Sequence, residues 1–148
     1  LNVVVTEKDA TELDSEALEK ADILLADVPC SGLGVIGRKT DIKYNISQAG
    51  IQELAALQRK ILEQASTYVK PGGTLIYSTC TVTPEENVEN VQWFTEHYPY
   101  ELESLDPYLC EELRGETTKE GYLQLLPGIH HCDGFFIARL KRKTEWNR

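Results

Sequence analysis

The chain has 148 residues, 41% hydrophobic and 26% charged, values of an ordinary folded domain with room for one core but not two. No run of 18 apolar residues is present, so no transmembrane helix is expected within these residues, and the first residues carry neither a basic segment nor a cleavage site, so they are not expected to be a signal peptide. The net charge of −9 argues, taken alone, against nucleic-acid binding, which ordinarily needs a basic footprint.

Leu1–Val5 reads as a short buried strand, and a chain opening on such a strand without Met is expected to be cut from a larger protein. Asp9 follows in a polar stretch, and Ser15 could cap a short helix running to Lys20. Ile23-Leu24-Leu25-Ala26 is a continuous apolar run ending in Asp27, the pattern of a strand covered on both faces in a parallel sheet. Val28 to Asn45 is loop-like, with Gly32, Gly34 and Gly37.

From Ser47 to Lys70 the period becomes helical, with Ile51, Leu54, Ala55, Ile61, Leu62, Ala65 and Val69 on one face. Pro71-Gly72-Gly73 stops that helix, and Thr74–Ser78 forms the next strand, delivering Thr79-Cys80-Thr81 at its carboxyl end. Thr83, Pro84 and Glu86 then read as the N-cap, first helical residue and partner of a capping box, with Val88, Val91 and Phe94 facing inward. The stretch 100–132 is irregular, and Gly134–Leu140 reads as a final strand. This alternation predicts one α/β domain over residues 1–148, a mostly parallel sheet flanked by helices. Ligands in such sheets gather beyond the carboxyl ends of the strands, which places Asp9, Asp27–Cys30 and Thr79–Cys80 along one rim.

Four cysteines, Cys30, Cys80, Cys110 and Cys132, match no compact disulfide or zinc spacing, so reduced thiols in the cytoplasm are expected. His130-His131-Cys132-Asp133 is not expected to bind metal, because adjacent histidines cannot easily face one ion. Pro29 fixes the backbone before Cys30, and Arg38, Lys39 and Lys43 could favour its thiolate; a small buried hydrophobe is the alternative. Cys80 repeats the situation at the next strand end. Paired thiols suit pyrimidine chemistry: a thiolate adding to carbon 6 of cytosine makes carbon 5 nucleophilic, and a base must later remove the carbon-5 proton. The charge distribution softens the objection to nucleic acid. Acidic residues concentrate in 7–19 and 101–120, whereas Arg38, Lys39 and Lys43 cluster beside Cys30, and Arg139, Lys141, Arg142 and Lys143 near the end.

Asp27-Val28-Pro29-Cys30-Ser31-Gly32-Leu33-Gly34 and Ser78-Thr79-Cys80-Thr81 resemble two signature motifs of the RNA cytosine-C5 methyltransferases. The loop Gly34–Tyr44, the run Pro71–Cys80 with Pro84-Glu85-Glu86-Asn87, and Asp133–Ala138 are similar to the bacterial 16S ribosomal-RNA branch, the Sun (Fmu) family. The four blocks stand in the family's order and spacing; Thr40 replaces a common Pro. The resemblance implies a Rossmann-like, S-adenosylmethionine-dependent methyltransferase fold and methyl transfer to cytosine carbon 5 in 16S ribosomal RNA. It implies Cys80 as nucleophile and Cys30 as the cysteine assisting product release. Asp9 would meet the adenine end of S-adenosyl-L-methionine, Asp27 with Pro29 would line the site near the methyl, and Arg38, Lys39 and Lys43 would face RNA. It also implies that the glycine-rich cofactor loop, the ribose-holding acid and an N-terminal RNA-binding region lie upstream of Leu1, so these residues alone are expected to be inactive. A tRNA substrate, or a folded piece keeping only RNA or partner contacts, is the alternative.

Overall fold

The computed structural model describes residues 2–38 and 46–145. The expectations placed on Lys39, Thr40 and Lys43 lie outside the described residues.

Among the described residues five strands and three α-helices follow in chain order: β1 (Ala21–Asp27), α1 (Gln48–Tyr68), β2 (Val69–Thr79), α2 (Val88–His97), β3 (Tyr100–Leu102), α3 (Glu116–Glu120), β4 (Tyr122–Leu125) and β5 (Phe135–Arg142). The sheet runs β1-β2-β5-β3, and β4 also pairs with β5. β1 and β2 are parallel, joined by the α1 crossover that parallel neighbours require. β5 is antiparallel to β2, β3 and β4. The α/β architecture expected is present, but the sheet of the described residues is mixed rather than mostly parallel. The short β3 and β4 share one edge of β5, and no helical crossover leads into it.

α1 starts where Ser47 accepts a hydrogen bond from the Gly50 amide at 3.1 Å, a side-chain N-cap. Its inner face buries Ile51, Ala55, Leu62 and Ala65. With Val91 and Phe94 of α2, Leu75 and Tyr77 of β2, Tyr100 of β3, and Phe136 and Leu140 of β5, that face builds one core. Pro71-Gly72-Gly73 bulges: the β1/β2 register passes from Ala21↔Val69 to Ile23↔Thr74.

Several local expectations change, and the stretch 100–132, expected to be irregular, holds β3, α3 and β4. Residues 2–5 form no strand, and Val3, Val4 and Val5 are 73%, 86% and 90% exposed, because none of the described strands pairs with them. Residues 15–20 form turns rather than a helix. The Asp14 carboxylate takes the Glu16 amide (3.0 Å), and the segment is too short to nucleate on its own. β1 is covered on one face only, since Ile23 and Leu25 remain 69% and 65% exposed. Finally, α2 begins at Val88, with residues 84–87 in turns. Glu86 accepts from the Thr83 hydroxyl at 2.7 Å, but its side chain is drawn into the interior instead of completing a capping box. Among the described residues no helix is long and apolar enough to cross a membrane.

Candidate active site at the carboxyl ends of β1 and β2

Parallel pairing of β1 with β2 puts Asp27 opposite Ser78 and ends both strands on the same rim. Three residues beyond Asp27 and two beyond Ser78, Cys30 and Cys80 meet: their Sγ atoms are 3.0 Å apart, and the Cys80 amide donates to Cys30 Sγ at 3.3 Å. Both side chains are half-buried. Burial, followed by the Cys80 contact, pushes the Cys30 thiol from the ordinary 9.0 up to about 12. The expectation that nearby cations favour a Cys30 thiolate is therefore corrected. Desolvation dominates, and the described member of that cluster, Arg38, is paired with Asp133 at 3.0 Å and 78% exposed.

Each cysteine is fixed through both chain neighbours. On the Cys30 side, Gln58 Nε2 donates to the Pro29 carbonyl (2.9 Å), and the Ser31 amide donates to Glu86 Oε1 (2.8 Å). On the Cys80 side, the Thr79 hydroxyl donates to Asn87 Oδ1 (2.6 Å), and Asn87 Nδ2 donates to the Thr81 carbonyl (3.1 Å). The Ser31 and Thr81 hydroxyls, 2.7 Å apart, join the two loops. Gln58 Oε1 accepts from Asn90 Nδ2 (2.8 Å) and lies 3.3 Å from the Tyr77 hydroxyl, whose single proton goes to the Glu86 carbonyl (2.6 Å). Burial pushes the Tyr77 phenol far above its ordinary range, so it stays a donor. Among the described residues no buried side-chain nitrogen or oxygen lacks a partner.

Backbone contacts close the site from a third direction. The Gly34 amide donates to the Cys80 carbonyl (3.1 Å), and the Gly134 amide donates to the Gly34 carbonyl (2.8 Å). A Cβ on Gly34 would fall 2.2 Å from the Gly134 oxygen and 2.8 Å from the Cys80 oxygen, so no side chain fits there. The three loops meet with only backbone between them.

Beside the thiols, Asp27 accepts from the Ser78 hydroxyl at 2.8 Å and edges an open cavity of roughly 300 Å³ walled by Leu24, Val28, Pro29, Ile61 and Tyr68. An adjoining cavity of roughly 410 Å³ shares Ala10 and Tyr68 with it and holds Lys8, Asp9 and Asp14. Asp9 accepts from the Thr11 hydroxyl (2.7 Å) and amide (2.8 Å), which hold its carboxyl below the ordinary value. Asp9 thus lines one cavity and Asp27 with Pro29 the other, the thiols of Cys30 and Cys80 lie outside the lining of both, and Arg38 turns toward Asp133.

Two of the polar residues behind the thiols, Gln58 and Asn90, escape reading by motif. Gln58 occupies a core position of the helical stripe Ile51, Ala55, Leu62, Ala65, and an amide inside an apolar stripe is the available signal for it. Asn90, between Val91 and the buried Glu86-Asn87 turn, carries the same signal more weakly.

The description 16S rRNA methyltransferase RsmB/F matches residues 1–141. The chain is 41% identical over 145 residues to ribosomal RNA small subunit methyltransferase F of Cronobacter sakazakii, covering 97% of this chain and 30% of that protein. Among solved structures, NSun6 from Pyrococcus horikoshii with SFG superposes with a TM-score of 0.74 at 29% identity, over 98% of this chain and 35% of the other. A methyltransferase homolog protein from Pyrococcus horikoshii gives a TM-score of 0.74 at 32% identity, over 96% of this chain and 45% of the other. The chain spans 30% of the length of the curated relatives it matches. With matching residues along nearly its whole length, the chain belongs to the 16S rRNA methyltransferase RsmB/F family.

Proposed function

We propose that this chain carries the reacting thiols of an S-adenosyl-L-methionine-dependent RNA (cytosine-C5) methyltransferase acting on 16S ribosomal RNA. The observation that carries the reading is the 3.0 Å approach of Cys30 and Cys80 on the rim beside the Asp27 cavity. A single buried thiol is most often packing, but two thiols meeting at neighbouring strand ends, braced on both sides, form an arrangement for covalent catalysis. The sequence match to ribosomal RNA methyltransferases and the likeness to a structure solved with SFG, an S-adenosylmethionine analogue, support the substrate and the cofactor.

The residues fit that cofactor. The cavity offers an apolar wall from Leu24, Val28, Pro29 and Ile61 for a flat ring, with carboxylates at Asp27 and Asp9 to hold a cation and hydroxyl or amino donors. When bound, S-adenosylmethionine supplies an electrophilic methyl. Cys80 acts as the thiolate that adds to carbon 6 of cytosine, which makes carbon 5 nucleophilic. Cys30 keeps its proton at neutral pH, because its thiol is pushed to about 12, and donates a hydrogen bond to the Cys80 sulfur. After methylation the carbon-5 proton passes to a base, the bond from sulfur to carbon 6 breaks, and the same Cys30 S–H stabilises the departing Cys80 thiolate. The reaction is assigned to the cytoplasm, where both thiols stay reduced. Arg38, Lys39 and Lys43 are assigned to the RNA phosphates.

The test uses Cys80→Ser and Cys30→Ser in the intact protein. Cys80→Ser abolishes both methylation and the covalent protein–RNA adduct, whereas Cys30→Ser lets the adduct accumulate; reversed phenotypes would overturn the assignment. The isolated 148 residues are expected to bind S-adenosylmethionine weakly or not at all, because the two cavities are open. Micromolar affinity by isothermal titration would contradict this.

A further inference from the structure

Glu86 departs from the expectation placed on it. A glutamate two residues after a helix-starting proline belongs at the surface, yet this one is 0% exposed. None of the ion pairs formed among the described residues includes it. An unpaired carboxylate in a core is expensive unless donors replace the lost water. Here four do: the Ser31 amide (2.8 Å) and Gln58 Nε2 (2.9 Å) on Oε1, and the Ser31 hydroxyl (2.5 Å) and Thr83 hydroxyl (2.7 Å) on Oε2.

The direction of each bond follows from the donor inventory. A carboxylate only accepts, so the single Ser31 hydroxyl proton points at Glu86, and the 2.7 Å contact between Ser31 and Thr81 must have Thr81 as donor. The Gln58 amide spends its two protons on Glu86 and on the Pro29 carbonyl. Glu86 therefore holds Ser31 directly and Pro29 through Gln58, gripping Cys30 from both sides, and it reaches the Cys80 loop through Ser31 and Thr81. A neutral amide at this position has one acceptor oxygen instead of two. Its NH2 would force the Ser31 hydroxyl to reverse and deprive Thr81 of its acceptor.

We propose that Glu86 is a positioning residue for the two-cysteine site: its buried carboxylate sets the Cys30 loop against the Cys80 loop and so maintains the contact between the two sulfurs. The inference rests on the thiol chemistry proposed above for its effect on turnover, and on geometry alone for its effect on the thiols. It explains why an acidic side chain sits within the core directly behind the two thiols, since such violations of burial rules are retained where function needs them.

The experiment compares Glu86→Gln and Ser31→Ala with the unaltered intact protein, reading kcat and KM for S-adenosylmethionine and, separately, the pH profile of Cys80 alkylation by iodoacetamide. In both variants kcat should fall, roughly tenfold or more for Glu86→Gln, with KM within about twofold, as expected for misplaced reacting groups. The midpoint of Cys80 alkylation should move to higher pH as the Cys30 hydrogen bond loosens, which a purely scaffolding residue would not cause in a protein that still melts cooperatively. A folded Glu86→Gln with unchanged kcat and alkylation midpoint overturns the proposal. If Glu86→Gln does not fold, Ser31→Ala decides by the same two readings. If Cys80→Ser retains activity, the catalytic reading fails while the alkylation midpoint still tests Glu86.

Discussion

Gly34→Ala adds one carbon at the point where three loops meet. That carbon would stand 2.2 Å from the Gly134 oxygen, 2.7 Å from the Gly134 carbonyl carbon and 2.8 Å from the Cys80 oxygen. An ordinary contact begins at 3.4 Å, so the Gly134 backbone must retreat by more than 1 Å. All three atoms are backbone, and no side-chain rotation can relieve the clash. Overpacking of this kind costs about 1–3 kcal/mol. The retreat also strains the bonds from the Gly34 amide to Cys80 and from the Gly134 amide to Gly34, each worth about 1 kcal/mol. The expected loss is about 3–5 kcal/mol, or a fall in Tm of roughly 6–20 °C for a domain of this size. Urea denaturation of the purified protein measures it, with m unchanged if the fold is retained. Because the Cys80 carbonyl is one of the displaced atoms, methylation should fall roughly a hundredfold as well. A change below about 1 kcal/mol together with normal activity would show that the loops do not bear on one another, and would refute the reasoning.

Gln58→Leu keeps the volume of the α1 core position but removes a donor from Glu86 and from Pro29 and an acceptor from Asn90. A destabilisation of about 3–5 kcal/mol is expected by urea denaturation, and a loss under about 1 kcal/mol would mean that water replaces the amide. The Cys30 thiol holds its proton to about 12 when folded and 9.0 when unfolded. Its contribution to stability is thus intact below pH 9 and is lost as pH rises toward 12, because only the unfolded chain releases the proton in that window. Correspondingly, iodoacetamide should leave Cys30 unmodified at pH 8 in the native protein; rapid native-state labelling would contradict the burial argument. Asp27→Asn, in the intact protein, should weaken S-adenosylmethionine binding roughly tenfold by isothermal titration, and unchanged affinity would remove Asp27 from the cofactor site.

What could be read from the sequence is whatever depends on local period or local chemistry. The α1 stripe and the β1, β2 and β5 runs followed from hydrophobic spacing, because that signal lies within one element. The two cysteines and Asp27 followed from their places just beyond strands, since parallel pairing sends the ends of β1 and β2 to one rim. Leu1–Val5 had the composition of a strand, but strand formation requires a neighbour, and none of the described strands pairs with residues 2–5. Glu86 had the spacing of a capping-box residue, and the same side chain found four donors inside the protein. Only tertiary structure could decide that, because its donors come from Ser31, Gln58 and Thr83, two of them distant in sequence. Tertiary structure likewise decided between the two readings left open for Cys30: cationic neighbours are visible in a sequence, but desolvation depends on what packs around the sulfur.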